Sequence, residues 1–153
     1  MKSTPRYLFV YGVLRKGGNS PMAGELERSA NYADPATLAG RLFRIDWYPA
    51  LISDPNPEKN YPVRGDLYEL PENQHEFLRA FDAYESYDPE DPGRSEYIRE
   101  KCRVQSLNKG HPVEAWVYLY QSPLTEKPEV TDGDWLAELQ RQAGKIQTKN
   151  RGW

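Results

Sequence analysis

The sequence predicts an α+β protein, a mixed and partly closed sheet with a few short helices packed against it. Several strand-like runs follow one another with no helical pattern between them, which argues against a doubly wound parallel sheet. Helical patterns are few and short. The 153 residues suit one domain, long enough to bury roughly two thirds of the unfolded surface. Hydrophobic residues make up only 38% of the chain, below the ordinary globular share. However, 4 Trp, 11 Tyr and 4 Phe supply large buried areas per residue.

Residues 7–11 (YLFVY) form a short, almost wholly apolar run of aromatic and β-branched character, which predicts a buried strand. The run breaks at Gly12, and residues 12–20 (GVLRKGGNS) read as a loop. Ser20-Pro21 has the form of a helix start, a capping hydroxyl followed by proline in the first turn, and residues 22–30 supply about two turns. Residues 37–46 (TLAGRLFRID) alternate as a strand, with Leu38, Gly40 and Leu42 on one face. A Pro- and Asn-rich loop covers residues 53–62. The next strand, 63–70 (VRGDLYEL), carries Val63, Gly65, Leu67 and Glu69 on one face.

Pro71 is expected to open a helix running to about Ala83, docked through Phe77, Leu78 and Phe81 at helical spacing. Residues 84–95 are rich in Asp, Glu, Pro and Gly and read as loop. Two strands follow, 97–107 and 113–121, with Lys109-Gly110 between them as a hairpin signal. Residues 131–134 (TDGD) predict the cap of a last helix from Trp135 to about Gln142. No internal repeat or dividing linker is visible. The expected organisation is one domain over residues 1–143 and a basic, polar, loosely ordered tail over 144–153.

Charge excludes some classes of function. The net charge is -3, without the concentrated basic face that phosphate binding needs. Arg99, Lys101 and Arg103 alternate on one strand face, and pairing with neighbouring carboxylates accounts for them better than nucleic acid does. The N-terminus has no apolar signal core, and no run approaches the ~20 apolar residues of a membrane helix. The single cysteine, Cys102, cannot form an internal disulfide. Together these give a cytoplasmic expectation with no membrane and no nucleic acid.

Much familiar chemistry lacks its residues. His75 and His111 are the two histidines, and no zinc-ligand spacing occurs, so no metal is expected. There is no G-x-S-x-G, and residues 12–17 (GVLRKG) lack the Gly-Lys-Ser/Thr ending of a phosphate loop. Cys102 falls inside an expected strand, where a free cysteine usually serves as a small apolar residue.

Two features remain. The turn Tyr11-Gly12-Val13-Leu14-Arg15 breaks a buried strand at a glycine, where backbone can approach a ligand closely. Successive N–H groups in such a turn can form a concavity for a carboxylate or a developing oxyanion; a plain tight turn is the other reading. In the second, residues 81–87 (FDAYESY), a helix hands over to a loop. Glu85, between Tyr84 and Tyr87, reads either as a desolvated carboxyl of raised pKa or as one more exposed acid, and the residues alone favour the exposed acid.

Taken in order, YGVLRKG, WYPAL, VRGDLYEL, FDAYESY, EYIRE, AWVYLY and a closing GDW resemble the gamma-glutamylcyclotransferase-like (AIG2-like) family, over about residues 6–121 plus 133–135. The resemblance implies a small mixed β-barrel of about five to seven strands with a few flanking helices. It implies Glu85 as the acid–base residue and Tyr11, Gly12, Val13, Leu14, Arg15 and Tyr97 as substrate-holding positions. No cofactor is implied. The implied substrate is a small gamma-glutamyl amine, cyclised to 5-oxoproline with release of the amine. A non-catalytic small-molecule binding module on the same fold is the alternative. Three positions depart from the family pattern: Val13 stands for Thr or Ser, Ser86 for Gly, and the loop from Tyr87 to Glu96 is long.

Overall fold

The computed structural model describes residues 4–16 and 20–151, with side chains through 143. Six strands and three helices follow the order β1 (Tyr7–Val10), α1 (Pro21–Ser29), β2 (Asn31–Arg44), β3 (Pro49–Ile52), β4 (Tyr61–Glu69), α2 (Gln74–Tyr84), β5 (Tyr97–Ser106), β6 (Pro112–Tyr120) and α3 (Trp135–Arg151). Neighbouring strands run β3-β2-β4-β1-β6-β5, and β2 also pairs with β5. That last pairing, Ala36 opposite Ser106 and Thr37 opposite Gln105, closes five strands into a barrel and leaves β3 as an extra strand beside the end of β2. The barrel is mixed: β1 and β6 are parallel, and the other pairs are antiparallel.

Alternation along each strand separates two cores. Phe9 of β1, Leu38 and Leu42 of β2, Val63 and Leu67 of β4, and Val117 of β6 fill the barrel interior, joined by the fully buried Trp135 of α3. Leu8 and Val10 point to the opposite face of β1. There they pack with Leu26 of α1 and with Leu78 and Phe81 of α2. Each such side chain contributes roughly 1.5–3 kcal/mol by leaving water, so both faces of β1 are anchored and its C-terminal end is held firmly.

Local signals explain most boundaries. The Ser20 side chain accepts a hydrogen bond from the Ala23 amide at 3.1 Å, with Pro21 in the first turn of α1. Asp134 caps α3, its Oδ1 accepting from the Ala137 amide at 3.2 Å. Gly110, at φ +73°, turns the chain between β5 and β6. Gly133, at φ +67°, has no room for a side chain: an added Cβ would lie 2.4 Å from the Pro62 carbonyl oxygen.

Four boundaries differ from expectation. Strand β2 begins at Asn31 rather than Thr37, because a register shift between Tyr32 and Asp34 lets the chain carry Pro35 through the ladder. Strand β3 was not expected; it is four residues long and begins at Pro49, a position a strand tolerates at its first residue. Helix α2 starts at Gln74, three residues after Pro71. Helix α3 runs to Arg151, well past the expected end near Gln142, so most of the segment expected as a loosely ordered tail is helical backbone; its side chains from 144 onward lie outside those described.

Candidate active site

The end of β1 creates the first wall of the site. After Val10 the chain folds into a tight turn, closed by the Arg15 amide donating to the Gly12 carbonyl at 3.1 Å. Among the described residues, no protein acceptor meets the amides of Val13 and Leu14. Arg15 turns away from the concavity. Its guanidinium reaches Asp66 of β4 at 3.4 Å and Asp134, the α3 cap, at 3.0 Å. The Lys16 amide also donates to Asp66, at 3.0 Å. These bonds clamp the turn to the barrel from behind. Gly12 is required by close approach, since an added Cβ would lie 2.7 Å from Cγ of Pro49.

The end of α2 supplies the acid. Glu85 is the C-terminal cap residue of this helix. Ser86, next in sequence, takes the left-handed conformation at φ 54°. The Ser86 amide donates to the Ala83 carbonyl at 3.2 Å and the Tyr87 amide to the Asp82 carbonyl at 2.8 Å. This is the paired bonding of a Schellman cap, in which glycine is the usual left-handed residue. The cap fixes the direction in which Glu85 leaves the helix.

Behind Glu85 lies an ion pair. Arg99 of β5 holds both oxygens of Asp82, at 2.8 and 3.2 Å, and the Tyr118 hydroxyl donates to the same carboxylate at 2.7 Å. The guanidinium also sits 4.4 Å from the Trp116 ring centroid. The arrangement ties the end of α2 to the β5–β6 pair.

Turn and helix end meet at a cavity of about 300 Å³, the small end of the range for small-molecule pockets. Tyr11, Gly12, Val13, Leu14, Glu85 and Tyr97 all line it. Three buried tyrosines surround the acid, and each has its proton engaged elsewhere. Tyr11 donates to the Tyr118 carbonyl at 2.5 Å, Tyr97 to the Pro49 carbonyl at 2.6 Å, and Tyr118 to Asp82. Among the described residues no donor meets the Glu85 carboxyl. Glu85 keeps some exposure as a residue because it faces an open cavity, but protein surrounds the carboxyl on its other sides. That desolvation, with a smaller push from the charge of Glu96, raises its pKa from 4.5 to about 8. Burial raises the Tyr11, Tyr97 and Tyr118 hydroxyls as well, and the Glu85 charge adds to each shift.

Of the positions singled out in the sequence, Arg15 alone is absent from the cavity wall. Tyr97 lines it, although its hydroxyl is bonded to Pro49 rather than to Glu85. The long loop does not displace Tyr97: its base is closed by the Glu96 amide donating to the Ser86 carbonyl at 3.0 Å. Glu96, Pro49 and Tyr118 line the cavity too and were not singled out, since only closure of the barrel brings 49, 96 and 118 beside 11 and 85. Trp47 and Tyr48 form part of the wall as well. Cys102 lies elsewhere, half-buried, with its thiol pushed up to about 11 by burial. Among the described residues no group of three or more His, Cys, Asp or Glu is arranged to hold a metal ion. No helix among them is long and apolar enough to cross a membrane.

A small closed barrel whose cavity is lined by an unpartnered acid and a turn with free amides marks a candidate small-molecule site. Residues 8–137 match the family described as gamma-glutamyl cyclotransferase, AIG2-like, and the chain belongs to this family. Among its relatives is the gamma-L-glutamyl-butirosin B gamma-glutamyl cyclotransferase of Niallia circulans. The two are 29% identical over 143 residues, covering 93% of this chain and 83% of the relative. A putative gamma-glutamylcyclotransferase of Methanocaldococcus jannaschii is 29% identical over 122 residues, 74% of this chain and 83% of that one. The crystal structure of an AIG2-like protein from Mus musculus superposes with a TM-score of 0.59 at 25% identity, covering 81% of this chain and 82% of that one.

Proposed function

We propose that the protein cyclises the gamma-glutamyl group of a gamma-glutamyl amine to 5-oxoproline and releases the free amine, with Glu85 as general base and then general acid. One observation carries this reading: a carboxyl with a pKa near 8 and no protein partner shares a cavity with Val13 and Leu14, whose amides meet no protein acceptor among the described residues.

The reaction forms one C–N bond, breaks another and takes two protons off the α-nitrogen, since an ammonium with three becomes a lactam nitrogen with one. The substrate's α-nitrogen attacks its own side-chain carbonyl carbon, forming the ring C–N bond. The bond from that carbon to the amine then breaks. Glu85 as carboxylate takes a proton from the α-ammonium, freeing the nitrogen lone pair. As carboxylic acid it returns the proton to the departing nitrogen, and the second proton of the ring nitrogen passes to the released amine or to solvent, leaving a neutral lactam N–H. A pKa near 8 leaves both forms accessible near neutral pH, the condition for one residue to serve both steps. The Val13 and Leu14 amides hold the α-carboxylate or the oxyanion of the tetrahedral intermediate. Nucleophile and electrophile belong to one molecule, so the cavity's main task is to fold the substrate into attack geometry.

The test is to incubate the purified protein with a panel of gamma-glutamyl amines and measure 5-oxoproline, beside Glu85→Gln. The expected result is product from the wild type and a loss of roughly 10²-fold or more in the variant. Full activity in Glu85→Gln would overturn the assignment. Release of amine without 5-oxoproline would show hydrolysis or transfer instead.

A further inference from the structure

The cavity holds a second acid that cyclisation does not use. Glu96 sits at the base of the 86–96 loop with its backbone fixed from both sides. Its amide donates to the Ser86 carbonyl at 3.0 Å, and its carbonyl accepts from the Gln121 amide at 3.3 Å. No cation or hydrogen-bond donor among the described residues meets its carboxylate. Trp47 and Tyr48 stand in the same wall, packed edge to face with ring centroids 5.1 Å apart. Trp47 is 60% exposed, so much of its ring is open to a ligand.

The cavity wall contains Glu85 and Glu96 but no Lys, Arg or His. Two arginines on flanking elements are already held: Arg15 by Asp66 and Asp134, and Arg99 by Asp82. A ligand carboxylate beyond the glutamyl group would therefore meet a like charge and no compensating cation. A ligand ammonium would meet a free carboxylate and exposed aromatic surface.

We propose that Glu96, with Trp47 and Tyr48 beside it, selects gamma-glutamyl amides whose amine half carries a positive charge and no carboxylate, as in mono-gamma-glutamyl diamines. This rests on the cyclisation reading above and names its substrate class. The glutamyl end lies against the turn and Glu85, and the distal ammonium of the departing amine pairs with Glu96.

Three amides of similar length separate charge from size: the mono-gamma-glutamyl amide of 1,4-diaminobutane, that of pentylamine, and that of 4-aminobutanoate. The readout is kcat/KM for 5-oxoproline formation. The diamine amide is expected to exceed the neutral pentylamine amide about tenfold, the order of one charge-assisted hydrogen bond, with the aminobutanoate amide slowest. Glu96→Gln is expected to bring the diamine-to-pentylamine ratio close to one. Both amides meet the same Glu85, so the ratio cancels any change Glu96 makes to its titration. Equal rates for the two amides, or a ratio that survives Glu96→Gln, overturn the selectivity while leaving cyclisation standing. If none of the amides yields 5-oxoproline, the cyclisation reading is in doubt, and calorimetric titration decides the selectivity alone. Tighter binding of the diamine amide, lost in Glu96→Gln, supports the proposal, and equal binding of both amides overturns it.

Discussion

Replacing Glu85 by glutamine should make the protein more resistant to unfolding at alkaline pH while changing its acid stability far less. The folded-state pKa is raised from 4.5 to about 8. A carboxyl raised in this way favours the fold fully below pH about 4.5, and that contribution is lost as pH rises through about 8. At roughly 1.4 kcal/mol per unit, the loss has a ceiling of roughly 5 kcal/mol. Water in the open cavity relaxes part of this, so about 2–3 kcal/mol is expected between pH 5 and pH 9. For a chain of 153 residues each kcal/mol moves Tm by about 2–4 °C.

The assay is thermal unfolding of wild type and Glu85→Gln at both pH values. The readout is the difference of differences. At pH 9 the variant should gain roughly 5–10 °C on the wild type relative to their gap at pH 5. Other groups that titrate in this window are common to both proteins and cancel. Glutamine also keeps the shape of the side chain, so packing changes little. An unchanged gap between pH 5 and pH 9 would show that the carboxyl is well hydrated. The pKa argument for its acid–base role would then fail, whatever the activity assays gave.

Two further predictions follow from the same corner of the molecule. Ser86→Gly should stabilise the protein by about 0.5–1 kcal/mol, because a left-handed L-residue costs roughly 1–2 kcal/mol and glycine's extra chain entropy offsets part of the gain; a Tm that falls would contradict the cap geometry. Gly12→Ala should destabilise by about 1–3 kcal/mol and lower kcat/KM, since the new Cβ would press on Pro49, whose carbonyl holds the Tyr97 hydroxyl; unfolding and 5-oxoproline assays on the one variant check both.

Local chemistry made much of the fold legible. Ser20-Pro21 announced α1 because capping is a short-range interaction that the residues themselves encode. The apolar run at 7–11 announced β1 because a strand packed on both faces needs apolar residues throughout. The start of β2 was obscured because Asp34-Pro35 is a breaker by local rule, and the register shift that accommodates it depends on β4. Strand β3 was hidden because four residues beginning with proline carry too little pattern, and its ladder exists only beside residues 41–44 of β2. The site was less legible than the fold. From its own neighbours Glu85 reads as an exposed acid. What desolvates it is burial among side chains from distant positions, Tyr11, Tyr97 and Tyr118, which no local pattern reveals. The resemblance counts Arg15 among the substrate-holding positions, and its own neighbours do not show that Asp66 and Asp134, far away in sequence, hold it.

Three departures from ordinary folding preference meet in one small volume. A carboxylate normally finds a donor, yet Glu85 has none among the described residues. Turn amides normally find acceptors, yet those of Val13 and Leu14 have none there. A left-handed cap normally carries glycine, yet Ser86 stands in it next to Glu85. Each is individually unfavourable, and none is relieved by the protein itself. A ligand bearing an ammonium and a carboxylate a few atoms apart would relieve the first two together, since one group would satisfy Glu85 and the other the turn. An α-amino acid head has that form. The local costs therefore converge on the same kind of molecule that the family defines, and they do so without reference to any relative.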